Sequence, residues 1–360
     1  MVRYLIDHLL KLNTKHEFVI LQHRGQALPD HPQVKKIIVP SRNRLLEFLW
    51  VQFHLNKLLQ DYAIDIYHSL KHVGPLFTSV PTVLFVHEIR HFVPGGQEGF
   101  EPDLVNKVYW KYILRWGLKR ATHIISNSHM CKKVITQRLG IPEQKVTVIY
   151  WGLDQKFRVI QDSTSIAECR RRYNLPEKYI LCVGNFYYHK NYDTVVKMYA
   201  KLRAQDKEAP KLVMVGDTSY SDPQFFNLIK ELGLENDIIF TNYVEQDELV
   251  YIYNGALLLL FPPSAAGFGI PPLEAMACGV PVVASDRGAI AEITGGAALL
   301  LKNHKEVEEM LKAVSQVLED EQLRRTLQKR GFERAQEFRW EASALKVLGL
   351  YQKLETGESL

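Results

Sequence analysis

Short runs rich in Val, Ile, Leu, Phe and Tyr alternate along this chain with longer stretches of helical periodicity. Tyr4, Leu5, Leu9 and Leu10 recur at helical spacing, and His16–Gln22 follows as a strand. Val34–Val39 predicts a second strand, Leu45–Leu59 an amphipathic helix, Ile64–His68 a strand and Thr82–His87 a buried strand. A helix over Asp103–Arg120 and strands over Ile124–Asn127 and Lys145–Ile149 complete this half. The second half repeats the rhythm. Tyr179–Val183 is a strand, Gly184–Asn191 a loop, and a helix runs to about Leu202. Lys211–Val215 is a strand closed by Gly216, and Phe225–Leu232 is a helix. Ile238–Phe240, Leu257–Phe261 and Val280–Ala284 are further strands, and the last helix covers about Trp340–Leu354. Such alternation predicts α/β domains with parallel strands and crossover helices.

Periodicity lapses over the polar stretch Trp151–Asp162, which sets a domain boundary at residues 155/156. Two domains also fit 360 residues, more than one core usually serves. Two doubly wound domains place a cleft at the carboxyl ends of their sheets, where ligands bind.

Composition is that of a soluble globular protein, 46% apolar and 24% charged, with no biased tract. The richest apolar run, Leu45–Leu59, is broken by Glu47, His54 and Lys57, so no membrane span is expected. No signal peptide is read ahead of the first helix, and a cytoplasmic location is expected. Cys131, Cys169, Cys182 and Cys278 show no CxxC spacing and read as separate thiols rather than a zinc site. Residues 1–150 carry 20 Lys and Arg against 11 Asp and Glu; the remainder carries 25 against 29. A basic first half suits an anionic partner, such as a phosphorylated lipid acceptor or a membrane surface. The basic residues form no single block, so scattered surface charge accounts for them equally well. No nucleic-acid motif accompanies them, and no nucleic-acid partner is expected. Tyr109, Trp110, Tyr112 and Trp116 mix with Lys111 and Arg115 on one helix, as at a membrane interface or on a helix packed against its own sheet.

The densest chemistry lies in Phe261–Pro281, FPPSAAGFGIPPLEAMACGVP. A strand-like run enters it, Gly267 and Gly269 follow, and Pro271-Pro272 open a helix carrying Glu274. A turn of this kind collects unpaired amides and the positive end of a helix dipole at one point, which suits a phosphate. Glu274 would repel that phosphate, so it is better placed to accept bonds from hydroxyls such as a ribose diol.

GFGIPPLEAMACGVPVVAS resembles the donor-site signature of the retaining glycosyltransferases of family 4, which have the GT-B fold. The resemblance implies two Rossmann-like domains facing a central cleft, with the C-terminal helix, residues 341–360, packed back onto the first. It implies Gly267, Phe268, Gly269 and Ile270 at the donor diphosphate and Glu274 on the ribose. Val183–Asn191, VGNFYYHKN, resembles the family's VGxxxxRKN loop: Lys190 matches the diphosphate lysine, with Gly184 and Asn185 beside it. His189 stands where arginine is frequent. Phe240–Val244 resembles the FxGyV segment, which puts Tyr243 and Val244 at the base. His87-Glu88 resembles the family's histidine–acid pair, which implies that His87 lies close to the donor sugar. His68, His72 and His91 are candidates for the acceptor side or for structural roles. Ser128 is read as a helix cap, and Glu292 as structural.

The resemblance implies retaining transfer of a hexosyl or mannosyl group, in polysaccharide biosynthesis, from a UDP- or GDP-linked sugar to a glycan or polyprenyl-linked acceptor. Lys190 and His87 would act at the reacting centre. No DxD triplet is present, and neither metal nor cofactor is expected. Two departures stand out. Ala266 occupies the place of the family's first glutamate, which makes a nucleotide-binding relative without turnover the alternative reading. The sequence also opens inside the first helix, at Arg3–Ile6, without the strand and glycine-rich loop that begin related chains.

Overall fold

The computed structural model describes residues 2–12, 15–23, 28, 30–39, 44–70, 74–87 and 112–358. The described chain forms two compact units. One contains the described residues up to Gly152 together with Phe338 onward; the other is Leu153–Glu337.

In the first unit, α1 (Val2–Leu12) buries Leu5, Ile6, Leu9 and Leu10, one face at helical spacing. Strand β1 (Phe18–His23) pairs in parallel with β2 (Val34–Val39). Helix α2 (Arg44–Asp61) then turns Val51, Leu55 and Leu59 inward. Next come β3 (Tyr67–Ser69), β4 (Thr82–Val86), α3 (Leu114–Arg120), β5 (His123–Ser126), α4 (His129–Leu139) and β6 (Val146–Val148). Ser128 caps α4, its Oγ accepting from the Cys131 amide at 3.0 Å. Strands β3 to β6 form a parallel sheet in that order, separate from the β1–β2 pair. Of the expected helix over Asp103–Arg120, only Leu114–Arg120 falls among the described residues. His72, Glu88, His91 and Tyr109 to Lys111 lie outside them.

The core of this unit joins Val83, Phe85, Ile125 and Ile149 to Leu5 and Leu9 of α1 and to Ala344, Val347 and Tyr351. Those last three lie on the C-terminal helix, Trp340–Thr356. Ser343 Oγ donates to the Tyr150 carbonyl at 2.6 Å, and Tyr4 stacks on Trp340 with centroids 6.1 Å apart. Gly152 passes so close to this helix that an added Cβ would lie 2.2 Å from the Trp340 nitrogen. Gly152→Ala should therefore destabilise the first unit by about 3 kcal/mol, measurable as an earlier thermal transition.

The second unit begins with α5 (Ser163–Arg172), capped by Asp162. It continues with β7 (Tyr179–Val183), α6 (Tyr192–Gln205), β8 (Lys211–Val215), α7 (Pro223–Glu231), β9 (Ile238–Asn242), α8 (Gln246–Asn254) and β10 (Leu258–Phe261). Then follow α9 (Ile270–Ala277), β11 (Val282–Ser285), α10 (Ile290–Thr294), β12 (Leu299–Leu301), α11 (Val307–Glu319) and α12 (Glu321–Ala335). Its six strands are all parallel, in the order β12-β11-β10-β7-β8-β9. Counted along the chain this is 3-2-1-4-5-6 read from β9, the doubly wound order. Strands β7, β10 and β11 are buried along their length, as expected where helices cover both faces of a sheet.

Several boundaries differ from the sequence reading for local reasons. Helix α7 starts at Pro223 because Asp222 caps it, its carboxylate accepting from the Gln224 amide at 2.9 Å. Strand β3 is confined to Tyr67–Ser69, and β9 runs on past Phe240 to Asn242. Strand β12 was not anticipated, since three residues are too few for a period to show.

Candidate functional site

Strands β7 and β10 are neighbours, but the chain leaves them in opposite directions: β7 leads on to β8 and β9, and β10 leads on to β11 and β12. Loops that part in this way leave a crevice at the carboxyl ends of the two strands. The two segments with the strongest sequence chemistry both enter this crevice.

The loop after β7 is anchored by Phe186, buried among the rings of Tyr192, Phe225 and Phe240 with centroids 5.0 to 5.7 Å away. A short 3-10 turn, Tyr188–Lys190, then delivers Lys190. Its ammonium lies 5.2 Å from the centroid of Phe261, the last residue of β10. A Cβ on Gly184 would sit 3.4 Å from Lys190 Cε, so the lysine folds back over the strand end that precedes it. The side chain thus spans the switch point. Asn185 is exposed, and its Oδ1 accepts from the Asp217 amide at 3.4 Å. On the outer side of the loop, Tyr187 stacks on His189 and lies 4.6 Å from Tyr220 by ring centroids.

The loop after β10 runs from Pro262 to Gly269. Gly269, at φ 107°, caps α9 in a conformation other residues adopt only with strain. Pro271 and Pro272 carry no N–H, so the donors at this terminus are the amides up to Ile270. Phe268 is buried and fixes the turn from below. Ala266 is pinned through its backbone: its carbonyl accepts from the Ala289 amide at 3.0 Å. Gly288 packs so closely there that a Cβ would lie 2.1 Å from the Ala266 oxygen.

One turn into α9, Glu274 is 8% exposed and accepts a 2.8 Å bond at Oε2 from Tyr253 Oη on α8. Burial pushes the Glu274 carboxyl up to about 7; the Tyr253 bond and the charge of Lys156 pull it down, and Asp154 pushes it up. Lys156 is itself paired with Asp154 at 3.2 Å and Asp247 at 2.9 Å. Tyr243 and Val244 stand beyond β9, the former 67% exposed and the latter buried. The strand end beside them is tied to the loop after β8 by Gly216 N–H donating to the Asn242 carbonyl at 3.1 Å. Gly184, Lys190, Gly267, Phe268, Gly269 and Ile270 therefore gather at the switch point, with Glu274 below them and Tyr243 and Val244 two strands away.

The sequence reading missed what holds these loops together. The Ser264 amide donates to the His189 carbonyl at 2.8 Å, joining the two loops directly. His304, 5% exposed, follows β12. Arg287 Nε donates to its Nδ1 at 3.3 Å, so Nε2 carries the proton and donates to Ser264 Oγ at 3.0 Å. The His304 carbonyl accepts from Asn191 Nδ2 at 2.7 Å, and Thr194 holds Asn191 in turn. Through its ring and its backbone carbonyl, His304 thus links the loops after β7, β10, β11 and β12. His304→Ala should cost about 1–3 kcal/mol and speed amide exchange in residues 184–191 and 262–269. His304→Gln, which can still donate to Ser264, should recover part of the loss.

In the first unit, His87 follows β4. Its Nε2 donates to the Leu70 carbonyl at 2.6 Å, and its ring stacks on Phe85 at 4.3 Å and lies 5.0 Å from Trp151. Burial lowers its pKa, so the ring is neutral near pH 7. Among the described residues nothing donates to Nδ1, which leaves a buried lone pair for a hydroxyl. His68 is half-buried, its Nδ1 2.6 Å from Tyr351 Oη, and burial followed by the charge of His87 lowers its pKa to about 3. The Arg334 guanidinium bonds the Glu292 backbone carbonyl at 2.7 Å. No cluster of potential metal ligands occurs among the described residues.

Two family profiles match. The one described as "Glycosyltransferase Family 4" covers residues 1–157, and "Glycosyl transferases group 1" covers residues 166–334. The chain is 29% identical over 229 residues to the O-antigen chain mannosyltransferase RfbU of Salmonella typhimurium. That match covers 63% of this chain and 58% of the relative, so the chain spans little more than half of it. Among solved structures, sucrose-phosphate synthase from Thermosynechococcus elongatus superposes with a TM-score of 0.75 at 21% identity, covering 94% of this chain and 89% of that one. Anabaena HepE in complex with UDP and glucose superposes with a TM-score of 0.70 at 19% identity, covering 89% and 86%. Between them the two profiles account for nearly the whole sequence, and the chain belongs to the group 1 glycosyltransferases with the GT-B fold.

Proposed function

We propose that this chain transfers a glycosyl group from a nucleoside-diphosphate sugar to a hydroxyl of a glycan or polyprenyl-linked acceptor, with retention of anomeric configuration. The observation that carries the reading is the Lys190 ammonium, 5.2 Å from the Phe261 ring, at the crevice the Gly269–Ile270 turn also enters. A cation, a helix N-terminus and backbone amides at a switch point suit a diphosphate, both as a bound group and as a leaving group gaining charge. Glu274 would accept from the ribose hydroxyls, and Tyr243 and Val244 would border the base. His87 Nδ1 would accept from a hydroxyl of the transferred sugar. Retention fits front-face substitution: the glycosyl–oxygen bond breaks, the departing diphosphate takes the acceptor proton, and the acceptor oxygen bonds the same face.

The name of RfbU favours a mannosyl group, and HepE, a structural neighbour, holds UDP. A panel of UDP-, GDP- and ADP-sugars, read by nucleoside diphosphate release and by product anomer in NMR, separates the choices. Release with acceptor and an inverted product would overturn retention. Binding without release or transfer by every donor would overturn transfer itself and leave a nucleotide-binding relative.

No helix of the described residues is long and apolar enough to cross a membrane. Exposed Tyr112, Trp116 and Phe77, with the Arg120 guanidinium 5.0 Å from the Phe77 ring, fit peripheral contact with anionic lipid. Sedimentation with anionic vesicles, lost in a Phe77→Ala and Trp116→Ala double variant, is the expected result.

A further inference from the structure

Strands β4 and β5 run in parallel with Val86 opposite Ser126. The residues that follow, His87 and Asn127, therefore leave neighbouring strands side by side, about 4.8 Å apart at the backbone. Asn127 is fully buried, and its Nδ2 donates to the His87 carbonyl at 3.0 Å. A backbone carbonyl can only accept, so this bond fixes the amide with Nδ2 toward His87 and Oδ1 as its other end. The bond from His87 Nε2 to the Leu70 carbonyl fixes the imidazole in the same way, with Nδ1 as an acceptor. Among the described residues, Asn127 Oδ1 and His87 Nδ1 are both buried without a hydrogen-bond partner. Neither can satisfy the other, because each can only accept. The flanking serines are engaged: Ser126 Oγ donates to the Ser128 carbonyl at 3.0 Å, and Ser128 Oγ caps α4. An ordinary core does not keep two such acceptors together, since each loses its bonds to water on burial.

We infer that Asn127 is a sugar-reading residue, whose Oδ1 accepts from a hydroxyl next to the one taken by His87. The inference rests on the reading of His87 at the transferred sugar, and it narrows that reading. Two acceptors with no donor between them need a ligand that brings the protons. Adjacent hydroxyls on one pyranose ring do so. An ionised phosphate brings only lone pairs and would be repelled. Asn127 Nδ2 serves the same end from the other side: by holding the His87 carbonyl, it keeps the imidazole at the end of β4. A sugar that lacks either hydroxyl leaves a buried acceptor unpaired, so the site rejects it. The transferred sugar must therefore carry two free neighbouring hydroxyls, and donors deoxygenated or substituted at either position are excluded.

The test takes the donor preferred in the nucleotide-sugar panel and its monodeoxy analogues, with the parent, Asn127→Ala and His87→Ala. The readout is kcat/KM, or donor affinity where transfer is absent. In the parent, two neighbouring deoxy positions should each lower it about 10- to 100-fold. Asn127→Ala should handle the complete sugar about as poorly, and one of those positions should then cost nothing further. His87→Ala should erase the cost of the other position. A merely structural Asn127 would lower all sugars alike, so a preference kept at every position in Asn127→Ala overturns the assignment. Loss of the same single position in both variants overturns it too, because Asn127 would then act only through His87. Nucleoside diphosphate affinity is the control and should not differ among the three proteins. A parent that binds nucleoside diphosphate yet shows no hydroxyl preference overturns the Asn127 assignment alone. A parent that binds none overturns the donor reading and the assignment with it. If Asn127→Ala does not fold, the Asn127 side-chain carbonyl is read by carbon-13 NMR in the parent. Its resonance should move with the complete donor and not with the critical deoxy analogue; equal shifts with both, or none, count against the assignment.

Discussion

Lys190→Ala should lower kcat/KM for the sugar donor by about 10²- to 10³-fold, roughly 3–4 kcal/mol of transition-state stabilisation. The half-buried ammonium stands over the Phe261 ring at the end of β10, so it acts where water screens little. Charge grows on the diphosphate as the glycosyl bond breaks, so the lysine should matter more in the transition state than in the bound donor. Calorimetry separates this role from a fold defect. Affinity for a nucleoside diphosphate should fall, while affinity for the bare nucleoside should not. Lys190→Arg should restore only part of the activity, because a planar guanidinium cannot sit as a point charge over the same ring. If Lys190→Ala binds and turns over donor as the parent does, the diphosphate lies elsewhere.

Glu274→Gln should make the protein more stable at pH 8 and poorer at binding donor. The folded-state pKa of Glu274, about 7, lies above its ordinary value of 4.5 because the carboxyl is buried. A raised acid favours the fold while protonated. Its contribution is complete below pH 4.5 and is lost as pH rises through 7; the full difference is about 3 kcal/mol. The glutamine variant should lack this decline, so the Tm difference between variant and parent should widen in the variant's favour from pH 5 to pH 8. Subtracting the parent removes the effects of His68 and His87, which both proteins share. Donor affinity moves the other way. An ionised carboxylate accepts strongly from a diol, and its loss should weaken binding about 10- to 100-fold. In the parent, affinity should rise with pH through 7. Equal stability slopes in the two proteins would show that Glu274 is not buried as a neutral acid.

Where local pattern carries the information, the fold was legible. Strands β2, β7 and β8 were read to the residue, because β-branched and apolar runs end there at clear breaks, Gly184 and Gly216 among them. The two catchment loops of the site were equally plain, since their glycines, prolines and lysine are local chemistry. What depends on distant partners was not. Tyr253 is 21 residues from Glu274, and nothing in the sequence pairs them before the fold does. His304 is one polar residue among several in the sequence after Leu301, and its link to Ser264 crosses 40 residues. The separation of the first unit's strands into two sheets was also hidden, because a run of apolar residues does not say which edge it meets.

The crossing of Gly152 beneath Trp340 has a consequence for biosynthesis. Residues up to Gly152 leave the ribosome before Leu153–Glu337, yet their core lacks Ala344, Val347 and Tyr351 until that whole segment has been made. Leu153–Glu337 has its full complement earlier. The unit begun earlier is thus finished later than Leu153–Glu337, and a premature stop near residue 338 would leave residues up to Gly152 without part of their core.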